Sequence, residues 1–339
     1  MPGAWWARCW LTESAAPDAT LTVAHCFTGL NGGVTAPETP ADAQQALDSE
    51  SLYPQSAAPA LYTPFASSYG FTPELPAPAQ PAGDALWLVF SRDSLLLTAA
   101  LDLPTTLPEG AEGQVYLGRQ GEREAWAARL TTDAPEGSKF SRLRGLYGRV
   151  PDWLWALGGF GYQIVEWDRT NQFCGYDATP TVRADHERAR RCPSCGLSCY
   201  PRLAPAVMVL LTRVHRGRPQ ILLCRSPQFP PGMYSANAGF VEPGETVEHA
   251  AHREMKEETN LDIRGLKYFD SQPWPFPHSL MLAYTAQHVG PEEGGGEIVP
   301  QPGEIEEARW FFHDELPQLP GRASISRRLI ESVVGERPD

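Results

Sequence analysis

Residues 239–261 read GFVEPGETVEHAAHREMKEETNL and close on three glutamates, Glu254, Glu257 and Glu258. On a helix, positions i, i+3 and i+4 share one face, so the three carboxylates crowd together. Like charges so placed repel, and a chain that folds this way needs a counter-charge. A hard divalent cation supplies it, since Mg²⁺ favours carboxylate oxygens and substrate phosphates over an all-protein cage. The segment therefore constrains the chain to a helix with an acidic, metal-seeking face, and it points to cleavage of a phosphoanhydride.

The neighbouring residues frame that helix. Thr246 is placed to cap its N-terminus. Val247, Ala250 and Ala251 give it an apolar, close-packing side. Arg253 lies beside the carboxylates and can hold one through a charge-assisted hydrogen bond. Gly244 follows Pro243 as in a tight turn. Asn260 ends the helix, tolerating the left-handed backbone that a C-terminal cap needs. Taken alone, EMKEET also reads as a solvated acidic helix end.

With 339 residues the chain is long enough for two or three domains. Its net charge of −13 makes it a poor general binder of nucleic acid, because phosphate contacts need Lys and Arg. No apolar run is long enough to span a bilayer, and the start, MPGAWWARCWLTES, lacks a signal-peptide layout. The seven cysteines are odd in number and three of them cluster. That favours a reducing, cytoplasmic setting and a metal site over a disulfide framework.

The pattern divides the chain at 1–166, 167–203 and 204–339. A strand-like run stands at Leu21–Phe27. Residues 35–83 are rich in Ala, Pro, Ser and Thr and read as a flexible insertion, or as a loose loop anchored by Tyr53, Tyr62, Phe65 and Tyr69. LWLVFSRDSLLL and QVYLGRQGEREAWAARL each read as two strands around a polar turn, together a small mixed sheet. Residues 141–170 read as helices. From Ala204 onward, strands and helices interleave: AVMVLLTR and PQILLCRS as a hairpin, a short strand at Ser235–Gly239, the acidic helix, strands near Gly265–Asp270 and Leu280–Gln287, EARWFF, and an amphipathic helix, SISRRLIESVVG.

Gly239, Glu245, Arg253, Glu254, Met255, Glu257, Glu258 and Leu261 fall at the fixed positions of the Nudix box, which this segment resembles. Asn260, in place of the second glycine, is the one departure. The resemblance implies Glu254 and Glu258 as main ligands of Mg²⁺ or Mn²⁺, Glu257 and Glu245 as assistants, Arg253 in the catalytic set, and an activated water. Downstream, SQPWPFPHS at Ser271–Ser279 alternates proline with aromatics, an extended apolar wall that can stack a flat ring. It resembles the signature of the NADH pyrophosphatase branch of the Nudix enzymes, as do EWDRTNQFCG, YPRLAP, EEARW and SRRLIE. The match is good over 140–339, weak over 84–130 and absent over 35–83.

That resemblance implies an α/β/α sandwich Nudix fold preceded by a small zinc ribbon and an N-terminal mixed-sheet α+β domain. It implies Tyr200 and Phe240 stacking on a substrate ring, Glu307 as a further metal ligand, and Ser326 near the site. Gln272, Trp274, Phe276 and Ser279 would shape the specificity pocket. It implies a homodimer acting on NADH or NAD, giving nicotinamide mononucleotide and AMP, and removal of NAD caps from RNA. A broader dinucleotide or ADP-ribose diphosphatase and a non-catalytic nucleotide sensor are the rival readings.

The ribbon carries its own question. Cys192-Pro-Ser-Cys195 is one intact C-x2-C knuckle, and the other should start at Cys174, but Asp177 stands where its second cysteine belongs. Either Asp177 ligates zinc through oxygen, or Cys199 or His186 substitutes, or the metal is lost. The role is structural in each case.

Overall fold

The computed structural model describes residues 69–290 and 294–336. The run at Leu21–Phe27 and most of the 35–83 segment lie outside the described residues. The last part of that segment is not a loop: Phe71–Pro73 form strand β1, and Phe71 is buried. A sheet in order β1-β4-β5-β2-β3-β6 follows, from β2 (Leu86–Ser91), β3 (Ser94–Thr98), β4 (Glu112–Gln120), β5 (Arg123–Arg129) and β6 (Ser138–Arg142). It is mixed, as read from sequence, because β2 runs parallel to β5, with Leu86 opposite Ala125.

Alternation along β2 assigns its faces. Leu86, Leu88 and Phe90 point into a core closed by helix α1 (Asp152–Thr170), through Leu154, Leu157, Ile164 and Val165. Trp87 and Val89 point into a second cluster on the other face. The expected run of helices from 141 reduces to this one helix. Residues up to Arg142 are held extended by the β3–β6 ladder, and Leu143–Leu146 make only a 3₁₀ turn.

A three-stranded ribbon, β7 (Val182–Arg183), β8 (Arg190–Arg191) and β9 (Ser198–Cys199), is fastened to the end of α1. The buried carboxylate of Asp168 accepts from Arg183 Nε at 2.7 Å and from Arg190 Nη1 at 2.6 Å.

The C-terminal sheet runs β13-β14-β10-β11-β15, with β12 pairing on the first half of β10. Its strands are β10 (Ala204–His215), β11 (Arg218–Arg225), β12 (Asn237–Phe240), β13 (Ile263–Trp274), β14 (Ser279–His288) and β15 (Glu307–Phe312). Alternation on β10 again sorts the layers. Val207, Val209 and Leu211 face helix α2 (Val247–Thr259), packing on Ala250, Ala251 and Met255. Met208 and Leu210 face helix α3 (Ile325–Val334), packing on Ile325, Leu329 and Ile330. The result is the expected α/β/α sandwich. β13 is longer than expected because Ser271–Trp274 continue the ladder against β14, ending with Trp274 opposite Ser279. Among the described residues no helix is long and apolar enough to cross a membrane.

Candidate active site

The acidic helix α2 starts where Thr246 accepts a hydrogen bond from the His249 amide and stops where Asn260 turns left-handed at φ 61°. Its apolar side is pinned to the sheet, which fixes its rotation and turns Glu254 and Glu258 toward β12. Asn237 and Gly239, two apart on that strand, share the face toward α2. A Cβ on Gly239 would lie 1.9 Å from Cδ of Glu254, so the helix carboxylate fills the space that any other residue would need. One helical turn further, Glu258 lies against Asn237.

A single guanidinium organises the carboxylates. Arg253 grips Glu245 with both arms, Nε to Oε1 at 2.8 Å and Nη2 to Oε2 at 2.9 Å. Its Nη1 reaches Glu254 and Glu257, each at 2.9 Å, and Nη2 also donates to the Phe240 carbonyl. This is bidentate, charge-assisted bonding, and it locks the loop before α2 onto the helix. Its effect on Glu245 is to hold that carboxyl down at about 2.

Glu254 and Glu258 are both buried. Burial pushes Glu254 up, with Glu257 and Glu304 adding to the push against Arg253. Glu258 rises further, to about 8, through burial first, then the charges of Glu254 and Glu304. Glu304 was not singled out in the sequence. It reaches the site because the segment before β15 is tied to the end of α2, with Val299 N–H donating to Thr259 O and Gln301 N–H to Glu258 O, both at 3.0 Å. Its signal was an acidic residue just upstream of EEARW.

The proline–aromatic segment is seated on the N-terminal half of the molecule. Pro275 Cγ sits 2.9 Å from where a Cβ of Gly159 would be, so the wall rests in a notch on α1. Trp274 and Phe276 meet edge-to-face at 5.1 Å, and the Arg144 guanidinium covers both rings, at 5.4 and 4.8 Å from their centroids.

In the ribbon, Cys174, Asp177, Cys192 and Cys195 bring one ligand atom each within 4.8 Å of the others. Cys174 Sγ lies 3.6 Å from Cys195 Sγ, and Cys192 Sγ 3.5 Å from Asp177 Oδ1. Those spacings suit a tetrahedral ion with metal–sulfur bonds of about 2.3 Å. Neither Cys199 nor His186 joins this group.

Residues 202–333 match the family model of the NUDIX domain, 169–200 that of the NADH pyrophosphatase zinc ribbon domain, and 84–167 that of the NADH pyrophosphatase-like rudimentary NUDIX domain. A protein of Deinococcus radiodurans named NAD-capped RNA hydrolase NudC is 46% identical over 264 residues, which cover 78% of this chain and 92% of that protein. The chain belongs to the NADH pyrophosphatase branch of the Nudix family. A second relative of the same name, from Chromobacterium violaceum, is 44% identical over 261 residues, 76% of this chain and 94% of that one. Among solved structures, a NUDIX hydrolase from Nitrosomonas europaea aligns with a TM-score of 0.39 and 22% identity, over 49% of this chain and 94% of that one.

The structure sorts the Nudix residues expected from sequence. Glu245, Arg253, Glu254, Glu257 and Glu258 come together. Tyr200 and Phe240 are open to solvent, 54% and 57% exposed, with the Tyr200 hydroxyl donating to Glu187. Ser279 is buried at the start of β14. Three further residues make internal contacts. Gln272 is fully buried, donating to Ala323 O and accepting from Ile325 N, so its amide is consumed in holding the start of α3. Ser326 is fully buried and hydrogen-bonds Ser235 and the Ala236 amide, fastening α3 to the segment that leads into β12. Glu307 accepts from the Tyr234 hydroxyl and pairs with Arg309 at 3.3 Å.

The donor set at α2 is all oxygen, which suits a hard divalent cation. Two buried, mutually repelling carboxylates raised above their ordinary range are the condition that such a cation relieves.

Proposed function

We infer that the chain hydrolyses the diphosphate bond of NADH and NAD to a nicotinamide mononucleotide and AMP, and that it removes NAD caps from RNA 5′ ends. Water adds to one phosphorus, the bridging oxygen leaves on the other, and both products are phosphomonoesters. The observation that carries this reading is the buried Glu254–Glu258 pair laid along β12.

Mg²⁺ or Mn²⁺ at these carboxylates supplies charge neutralisation on the diphosphate and a lowered pKa for bound water. Glu254 and Glu258 hold it, with Glu257 and Glu245 oriented by Arg253. Glu307 completes the set as a further ligand, and Glu304 adds a charge that reaches both buried carboxylates. Glu258 is the residue we assign to receive the proton of the attacking water.

Trp274 and Phe276 form the ring-binding wall, with Ser279 at its end and Tyr200 and Phe240 as exposed stacking partners. Exposed rings of this size support a homodimer in which a second copy completes the pocket. Cys174, Asp177, Cys192 and Cys195 hold a structural zinc, and their reduced state suits the cytoplasm. The domains divide at 166/167 and 203/204.

The test offers the purified full chain NADH, NAD, ADP-ribose and NAD-capped RNA, each with Mg²⁺ or Mn²⁺, and separates the products by chromatography. The reading expects nicotinamide mononucleotides from NADH, NAD and capped RNA, with ADP-ribose a poorer substrate. Cleavage of none of them overturns it.

A further inference from the structure

The position two residues before Gly239 on β12 is built like a core site. Asn237 is only 3% exposed, and the strand turns it to the same face as Val207 and Val209 of the paired strand β10. A leucine or valine would suit that face. The residue present is an amide that interacts with the Glu258 carboxylate, yet neither its oxygen nor its nitrogen makes a hydrogen bond of full geometry. Burying both ends of an amide unpaired is costly, and buried amides ordinarily have their partners.

The geometry says where the missing partner lies. Two residues of strand advance about 6.7 Å and four residues of helix about 6 Å, so β12 and α2 run in step. Gly239 therefore faces Glu254, and Asn237 faces Glu258. The amide faces the Glu258 carboxylate closely enough to favour its charged form, short of a bond of full geometry. A hydrated cation in that row matches both ends: a water on the cation donates to Oδ1, and the Glu258 carboxylate, drawn into place, accepts from Nδ2. Mg²⁺ keeps several of its waters when bound, so an acceptor for one of them has work to do.

We propose that Asn237 is a positioning residue of the cation site, holding a metal-bound water through its amide oxygen and the Glu258 carboxylate through its amide nitrogen. This rests on the cation site described above. It adds a neutral residue, outside the acidic motif, on which the orientation of the hydrated cation depends.

The experiment measures Mn²⁺ binding to the full chain by the loss of the free-ion paramagnetic resonance signal, alongside metal-free melting temperature and NADH turnover. In Asn237→Leu, Mn²⁺ affinity falls by about tenfold, the scale of losing a partner of a metal ligand. Its metal-free melting temperature holds or rises, since an unpaired amide has gone. The kcat for NADH falls while KM for NADH stays near that of the unaltered chain. Asn237→Ala adds no bulk and shows the same loss of affinity if the leucine does not fit. Unchanged Mn²⁺ affinity in the folded variants overturns the proposal, and a lowered melting temperature with unchanged affinity assigns Asn237 a packing role instead. An unaltered chain that binds no Mn²⁺ overturns the cation site itself, and this proposal with it.

Discussion

The carboxylate of Glu254 occupies the place of a side chain on Gly239, whose Cβ would stand 1.9 Å from its Cδ. Gly239 thus sets how closely α2 approaches β12. In Gly239→Ala the carboxylate must move, because the backbone on both sides is held by sheet and core. The expected result is a folded protein, less stable by about 1–3 kcal/mol from overpacking, whose kcat falls far more than its melting temperature. Steady-state assays with a thermal melt check this. An alanine variant with normal turnover would place the critical carboxylate elsewhere.

Local chemistry made α2 legible. A capping threonine, a left-handed asparagine, small apolar residues at helical spacing and a fixed spacing back to Gly239 all lie within one continuous segment. Glu304 was not legible in the same way, since its approach depends on backbone bonds from Val299 and Gln301 to the far end of α2. Gln272 and Ser326 sit in recognisable motifs, which mark them by resemblance rather than by local chemistry. Their burial at the start of α3 is a tertiary fact with no local pattern. The β1 strand escaped notice because its partner, β4, begins far along the chain, with Phe71 opposite Gln120.

Arg144 belongs to the first half of the chain yet stacks on both rings of the wall. Each such contact is worth about 0.5–1 kcal/mol. Arg144→Ala is expected to raise KM for NADH by roughly fivefold with little change in kcat, because it loosens Trp274 and Phe276 without touching the carboxylates. Michaelis parameters for NADH decide this. A fall in kcat at constant KM would detach Arg144 from ring binding.

Asp177 predicts a metal site of mixed character. The purified chain should carry about one zinc in its ribbon. Asp177→Ala should lose it to a mild chelator, and Asp177→Cys should hold it more tightly, since a thiolate suits zinc better than a lone carboxylate. Metal analysis after graded chelation measures this. Zinc retention by Asp177→Ala equal to that of the unaltered chain would remove the carboxylate from the ligand set.

The state of Glu258 sets a pH dependence. In the folded, metal-free protein it keeps its proton up to about 8, whereas its ordinary value is 4.5. The folded state therefore binds more protons across that interval, and stability falls as pH rises through it. The metal-free melting temperature should decline from about pH 5 to 8, and Mn²⁺ should restore more of it at the upper end, since binding displaces the proton. Glu258→Gln should flatten that part of the decline. Melting curves at stepped pH, with and without Mn²⁺, check the sign.

The most direct test follows NADH turned over by the unaltered chain and by Glu258→Gln, both saturated with Mn²⁺ and both confirmed folded, with the two mononucleotides quantified. The unaltered chain should yield reduced nicotinamide mononucleotide and AMP in equal amounts, and the glutamine variant should be slower by at least about a hundredfold, the scale of a lost proton acceptor. Equal rates in the two proteins would contradict a catalytic centre built on the carboxylates of α2.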